Sequence, residues 1–198
     1  MQHMKTKVIK KEIRVLGIDD SPFDKHKKGN CLVVCTVFRG ASFMDGLISF
    51  HVTVDGYDAT QAIIKHVKAS KHYKQLNCIM INGIALAGFN VVDIQEINKQ
   101  LKLPVIIVTR RKPNIDNIKR ILKRLKQEEK IKLIEKAGTP KTVIIKNKPI
   151  YFQHAGISEE IAADIIKLTA VHGLMPEPLR IAHIIASGVV LGENRGRV

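Results

Sequence analysis

The residues best suited to chemistry begin with an acidic pair, Asp19 and Asp20, at the end of the apolar run Ile13 to Ile18. Buried carboxylates are costly unless they are paired or bind a metal. A pair at the end of a central strand is therefore either a hard-cation site or a strand-end turn in which Asp20 caps the Ser21-Pro22 step. A second acidic group, Asp55 and Asp58, falls where a strand gives way to a helix. Here the choice is between turn and N-cap residues and carboxylates that converge on Asp19. Two acids suffice for magnesium, which keeps several of its waters. The segment Asn82-Gly83-Ile84-Ala85-Leu86-Ala87-Gly88-Phe89-Asn90 is an apolar loop between glycines. It suits closure over a base or a phosphate, but it lacks the Gly-Lys-Ser/Thr ending of a phosphate-binding P-loop. Asn82 offers a carbonyl ligand without charge, and Asn90 reads as an N-cap. Arg180 and His183, one helical turn apart, together with Arg195 and Arg197 near the C-terminus, form a basic group able to touch phosphate, or an ordinary basic helix end.

These residues need elements to position them. Period-2 and continuous apolar runs predict strands at Ile13–Ile18, Cys31–Phe38 and Leu47–Val54, with connections short enough for an antiparallel meander. Helical spacing follows at Ala59–Ala69 and Val91–Leu101, with strands at Cys78–Ile81 and Val105–Val108 between and after them. A third amphipathic helix, Ile115–Leu125, turns Ile118, Ile121, Leu122 and Leu125 inward and Lys119, Arg120, Lys123 and Arg124 outward. A late strand pair turns around Asn147, Ser158 caps a helix to Lys167, and a last helix runs from Leu179 to Val190. Strand–helix alternation favours parallel pairing in the second half. The expected fold is a mixed α/β sheet, with the first strand central and helices on both faces, as in ribonuclease H-like proteins. The expected organisation is an N-terminal arm, residues 1–12, and one domain, 13–198.

Composition narrows the classes of function. The 198 residues carry a net charge of +15. Between Arg110 and Lys148 lie 14 Lys and Arg against 4 Asp and Glu, about two-thirds of the excess in a fifth of the chain. Such clustering points to a polyanion such as nucleic acid. Three cysteines without metal-type spacing read as reduced core residues. No apolar run approaches the ~20 residues of a membrane span, and no secretory h-region follows the N-terminus, so the expected location is cytoplasmic, with no membrane partner. A metabolic enzyme for a small acidic substrate would want a nucleotide fingerprint, which is missing.

Four motifs in order carry a resemblance. Gly17-Ile18-Asp19-Asp20-Ser21-Pro22-Phe23, Val54-Asp55-Gly56-Tyr57-Asp58-Ala59-Thr60, Asn82-Gly83-Ile84 with Ala87-Gly88-Phe89-Asn90-Val91-Val92-Asp93, and Pro178-Leu179-Arg180-Ile181-Ala182-His183 resemble the archaeal endonuclease dU family. That family is similar to endonuclease V, a ribonuclease H-like nuclease of deaminated bases. The resemblance implies a Mg2+- or Mn2+-dependent endonuclease, a phosphodiester hydrolase of DNA repair. Its substrate would be DNA with a deaminated base, deoxyuridine first, with RNA open. It implies Asp19 and Asp58 as metal ligands with Asp55 or Asp20 in support, and Asn82 where endonuclease V carries an aspartate. Gly83, Ile84, Gly88, Phe89 and Asn90 would form the base-binding loop, with Asp93 able to compensate for Asn82 if it faces inward. The alternative is a nucleic-acid-binding protein of the same fold with weak or lost catalysis.

Overall fold

A computed structural model describes residues 10–24 and 27–194. Three long strands open the chain: β1 (Arg14–Asp20), β2 (Asn30–Arg39) and β3 (Phe43–Thr53). Helix α1 (Ala59–Ala69) and a short 3-10 turn lead to β4 (Cys78–Asn82). A two-strand ribbon follows, β5 (Ala85–Leu86) against β6 (Asn90–Val91), then α2 (Ile94–Leu101) and β7 (Val105–Thr109). The basic segment forms α3 (Ile115–Arg124) and α4 (Glu128–Lys136). The hairpin β8 (Lys141–Ile145) and β9 (Lys148–Ala155) precedes α5 (Glu159–Thr169) and α6 (Glu177–Leu191).

Seven strands form one mixed sheet in the order β3-β2-β1-β4-β7-β9-β8. β1 lies inside it, antiparallel to β2 and parallel to β4, and β4 is parallel to β7. The expected meander and central first strand are therefore present. The C-terminal ends of β1, β4 and β7 share one edge, where open α/β sheets place their ligands.

Alternation along β1 divides its side chains between two layers. Leu16 and Ile18 join the core beneath α1 and α2, whereas Val15 joins the core with α5 and Leu179 of α6. Gly17 lies on the α6 side: a Cβ there would sit 2.3 Å from the backbone carbon of Pro178. The missing side chain lets α6 lie directly on β1, and the Thr36 hydroxyl of β2 donates to the Pro178 carbonyl at 2.6 Å. Cys31, Cys35 and Cys78 are free and buried, as expected.

Three expectations change. Helix α2 starts at Ile94, because the Asp93 carboxylate accepts from the Gln95 and Glu96 amides, both at 3.0 Å, while Asn90 lies in β6. Helix α3 ends at Arg124, and Leu125 is 50% exposed rather than inward. Helix α4 is an element that periodicity missed, because charged residues surround its few buried apolar positions, Ile131 and Ile134.

Candidate active site

The centre of the site is Asp19, 3% exposed, near the end of β1. Its Oδ1 accepts the Asp20 amide at 3.0 Å, and its Oδ2 meets His183 Nδ1 at 2.9 Å. The Asn82 side chain, at the end of the neighbouring parallel strand, faces the same carboxyl and favours its charged form. Burial pushes the Asp19 carboxyl above its ordinary value, while His183 and Asn82 pull against that shift. The hydrogen bond to Asp19 pushes the His183 imidazole upward in turn. Both shifts describe one event: the pair keeps a proton to higher pH than a free imidazole would. His183 Nε2 is buried and has no hydrogen-bond partner among the described residues. Native proteins rarely leave such an atom idle, so it is available to a ligand or a proton.

Asp20 points to the opposite face. Its Oδ2 accepts the Ala87 amide at 2.9 Å, and burial and the neighbouring Asp19 charge push its carboxyl up to about 6. The Asp55 amide donates to the Ala87 carbonyl at 2.9 Å, and Asp55 Oδ1 accepts the Phe89 amide at 2.7 Å. Two carboxylates thus clamp the loop after β4 through its backbone. Gly88, at φ 86°, has no room for a side chain, since a Cβ would lie 2.3 Å from Asp55 Oδ1.

Asp58 does not join Asp19. Its carboxylate accepts from the Thr53 amide (3.1 Å), the Thr53 hydroxyl (2.9 Å) and Asn90 Nδ2 (2.6 Å). Burial alone would raise Asp58, but the hydrogen bonds from Asn90 and Thr53 outweigh it and hold the carboxyl below its ordinary value. Asn90 is fully buried, and its Oδ1 accepts the Ala59 amide that starts α1 at 3.0 Å. These two residues weld β3, α1 and β6 together. Asp93, expected as a possible inward carboxylate, instead caps α2 and pairs with Lys136 at 2.6 Å. Ile84 and Phe89 pack partly buried against Val91, Leu122, Ile131 and Ile134, so the loop lies on α3 and α4 instead of standing open as an apolar mouth. Gly83, at φ 87°, opens the loop.

The basic candidates divide similarly. Arg180 grips Glu177, which is 2% exposed, through its Nη2 at 2.7 Å and its Nε at 3.0 Å, a fold contact and not a free phosphate ligand. Lys119 bridges to Glu135 at 2.7 Å, and Arg120 donates to Asn117 at 2.7 Å. Lys123 and Arg124 are exposed, and Arg195 and Arg197 lie outside the described residues. His183, read from sequence as a phosphate contact, is the partner of Asp19, 164 positions away. Glu177 and Lys130 were not anticipated, although the Pro176-Glu177-Pro178 setting at a helix start was a usable signal for the first. Among the described residues, no three His, Cys, Asp or Glu side chains are grouped to hold a metal, and no helix is long and apolar enough to cross a membrane.

The sheet order and the buried aspartate at its parallel edge define a protein with the endonuclease V-like fold. A crystal structure of Bacillus subtilis endonuclease V is similar over 87% of this chain and 78% of that one, at 13% identity and TM-score 0.57. Ciona intestinalis endonuclease V, crystallised with a DNA containing inosine, gives TM-score 0.52 at 17% identity, covering 86% of this chain and 82% of that one. More specifically, residues 11–190 match the family described as Endonuclease dU, and the chain belongs to that family. A relative from Methanothermobacter thermautotrophicus, a UPF0215 protein, is 46% identical over 198 residues, covering 99% of this chain and 97% of its own. A protein of unknown function from Archaeoglobus fulgidus has a crystal structure with TM-score 0.81 at 39% identity, covering 91% of this chain and 99% of that one.

Proposed function

We propose that the protein is an endonuclease acting on DNA that contains a deaminated base, with deoxyuridine as its first substrate. The observation that carries this reading is the buried Asp19, held by His183 and facing Asn82 where the parallel strands end, beside a His183 Nε2 that has no partner among the described residues. Family membership supports the reaction class.

The donor set fits one divalent ion. Asp19 supplies a buried carboxylate, and Asn82, at the end of the adjacent parallel strand, carries an amide oxygen that could serve as a neutral ligand. Mg2+ typically binds through one or two carboxylates plus substrate phosphate oxygens, so a third acidic ligand is not required. Bound there, such an ion would polarise the phosphate and acidify a water. His183 orients Asp19 through Nδ1 and holds or moves a proton at Nε2. Asp20 and Asp55 hold the backbone of the loop from Gly83 to Phe89 in place beside the position of a damaged base, which is cheap to unstack. Lys123 and Arg124 on α3 contact the phosphate backbone.

Cleavage of uracil-containing duplex, with and without Mg2+ or Mn2+, tests the proposal. Asp19→Asn and His183→Ala should abolish cleavage and leave the fold intact, and normal cleavage by Asp19→Asn would refute it. The alternative, nucleic-acid binding with weak catalysis, rests on Asn82 in place of a carboxylate and on the lack of a three-ligand group among the described residues. Asn82→Asp restores a charge beside Asp19 and should tighten metal binding by calorimetry. Gain of cleavage in that variant alone would favour the alternative.

A further inference from the structure

Lys130 of α4 is 1% exposed, although burying an ammonium is costly unless it is well paired. Its Nζ donates to the backbone carbonyl of Asp55 at 2.7 Å and lies 4.0 Å from the centre of the Tyr57 ring. Asp55 occupies the left-handed region at φ 55°, uncommon for a residue other than glycine. This strained residue is the one whose amide meets the Ala87 carbonyl and whose carboxylate takes the Phe89 amide. Ala87 in turn reaches Asp20. The same helix makes two further ties to this region: the Tyr57 hydroxyl donates to Glu129 at 2.5 Å, and Lys136 pairs with Asp93. Helix α3, which carries the exposed Lys123 and Arg124, joins α4 through Lys119 and Glu135.

We propose that Lys130 is a positioning residue that couples the basic α3–α4 hairpin to the carboxylate site by holding Asp55 in its left-handed conformation and, through it, the loop from Gly83 to Phe89. The part of this inference that concerns cleavage rests on the nuclease reading above; the part that concerns the loop does not. A buried lysine serves here where a leucine would not, because only a donor can satisfy the Asp55 carbonyl in this left-handed turn. Contact of nucleic acid with the hairpin then bears directly on the loop beside Asp20.

Amide hydrogen exchange and cleavage kinetics on Lys130→Met test this. Methionine keeps the stem and removes the donor. The Ala87 and Phe89 amides should exchange at least about tenfold faster than in the wild type, while amides in β4 and β7 hold their protection. The cleavage kcat should fall about tenfold with DNA affinity and its salt dependence unchanged. Adding Asp55→Asn should restore much of the protection, since asparagine tolerates the left-handed region and still accepts from Phe89. Tyr57→Leu, at an exposed position, should give a smaller effect of the same sign and serves if Lys130→Met does not fold. Unchanged exchange at both amides overturns the proposal, as does an even acceleration across the whole protein. A wild type that fails to cleave refutes the nuclease reading, while the exchange result still decides the role of Lys130.

Discussion

Replacing Gly17 with alanine should misplace His183 without touching it. The added methyl would lie 2.3, 2.5 and 2.6 Å from the carbon, oxygen and Cβ of Pro178, while ordinary contact begins at 3.4 Å. Two of those atoms are backbone, so no side chain can swing aside. The first turn of α6 must move off β1 by about 1 Å, and Thr36 must follow or lose its 2.6 Å bond to Pro178. A rigid shift of that size would stretch the 2.9 Å contact between Asp19 and His183 beyond hydrogen-bond reach. Overpacking of this kind costs about 1–3 kcal/mol, readable from urea unfolding. NMR titration of His183 gives the independent check. The wild-type imidazole lies above its ordinary 6.5 because of Asp19, and in the variant it should move back toward that value. A raised histidine stabilises the fold at low pH and loses that contribution as pH rises through its folded value, so this segment of the pH profile should flatten in the variant. An unfolding midpoint and a His183 titration both equal to wild type would show that the Gly17–Pro178 contact does not set the position of α6.

Asp20→Asn should raise stability near pH 7–8 and flatten its decline above pH 4. The folded carboxyl lies at about 6 against an ordinary 3.8, so it favours the fold while protonated and loses that advantage as pH rises through the interval; the full difference is at most about 3 kcal/mol. Urea unfolding across pH 4–8 measures it, and parallel profiles for the two proteins would count against the burial argument. Arg180→Ala strands the buried Glu177 and should cost about 3 kcal/mol in stability, with no change in the salt slope of nucleic-acid binding; an altered slope would return Arg180 to the phosphate-binding set. Lys123→Ala with Arg124→Ala should spare folding and lower that slope by roughly 0.9 for each phosphate of duplex DNA that the pair neutralises in the wild type, measured by fluorescence anisotropy. An unaltered slope would mean that this face is only solvated.

What could be read in the sequence depended on whether the signal was local. The strand carrying Asp19 is a continuous apolar run, and α1 follows helical spacing, so both were visible with nearly their observed bounds. The position of Asp58 at the start of α1 was equally visible, but its side-chain partners were not. Thr53 and Asn90 reach it from two other elements, and nothing in local spacing separates a carboxylate that holds three segments together from one that holds a metal. His183 shows the reverse case. Its type and its place on the last helix were noted, yet its partner lies on the first strand, and only the close approach permitted by Gly17 brings the two together. A glycine inside an apolar strand was the available sign that another backbone comes close.

The basic segment carries the same lesson about charge. Its 14 cationic side chains suggested one solvated, nucleic-acid-facing surface. Lys119, Lys136 and Lys141 instead form ion pairs with Glu135, Asp93 and Glu159, and Lys130 is buried against Asp55 and Tyr57. The exposed pairs contribute little to stability, roughly 0–1 kcal/mol each, and nucleic acid can compete for their lysines. Lys130 cannot be recruited in that way, because reaching a phosphate would leave the Asp55 carbonyl without its donor and open the packing of α4. Basic residues in this segment therefore act in two ways. Some, such as Lys123 and Arg124, stand exposed and open to a polyanion, and at least one, Lys130, is buried against the Asp55 turn, so a count of charges along the chain overstates the surface free to bind.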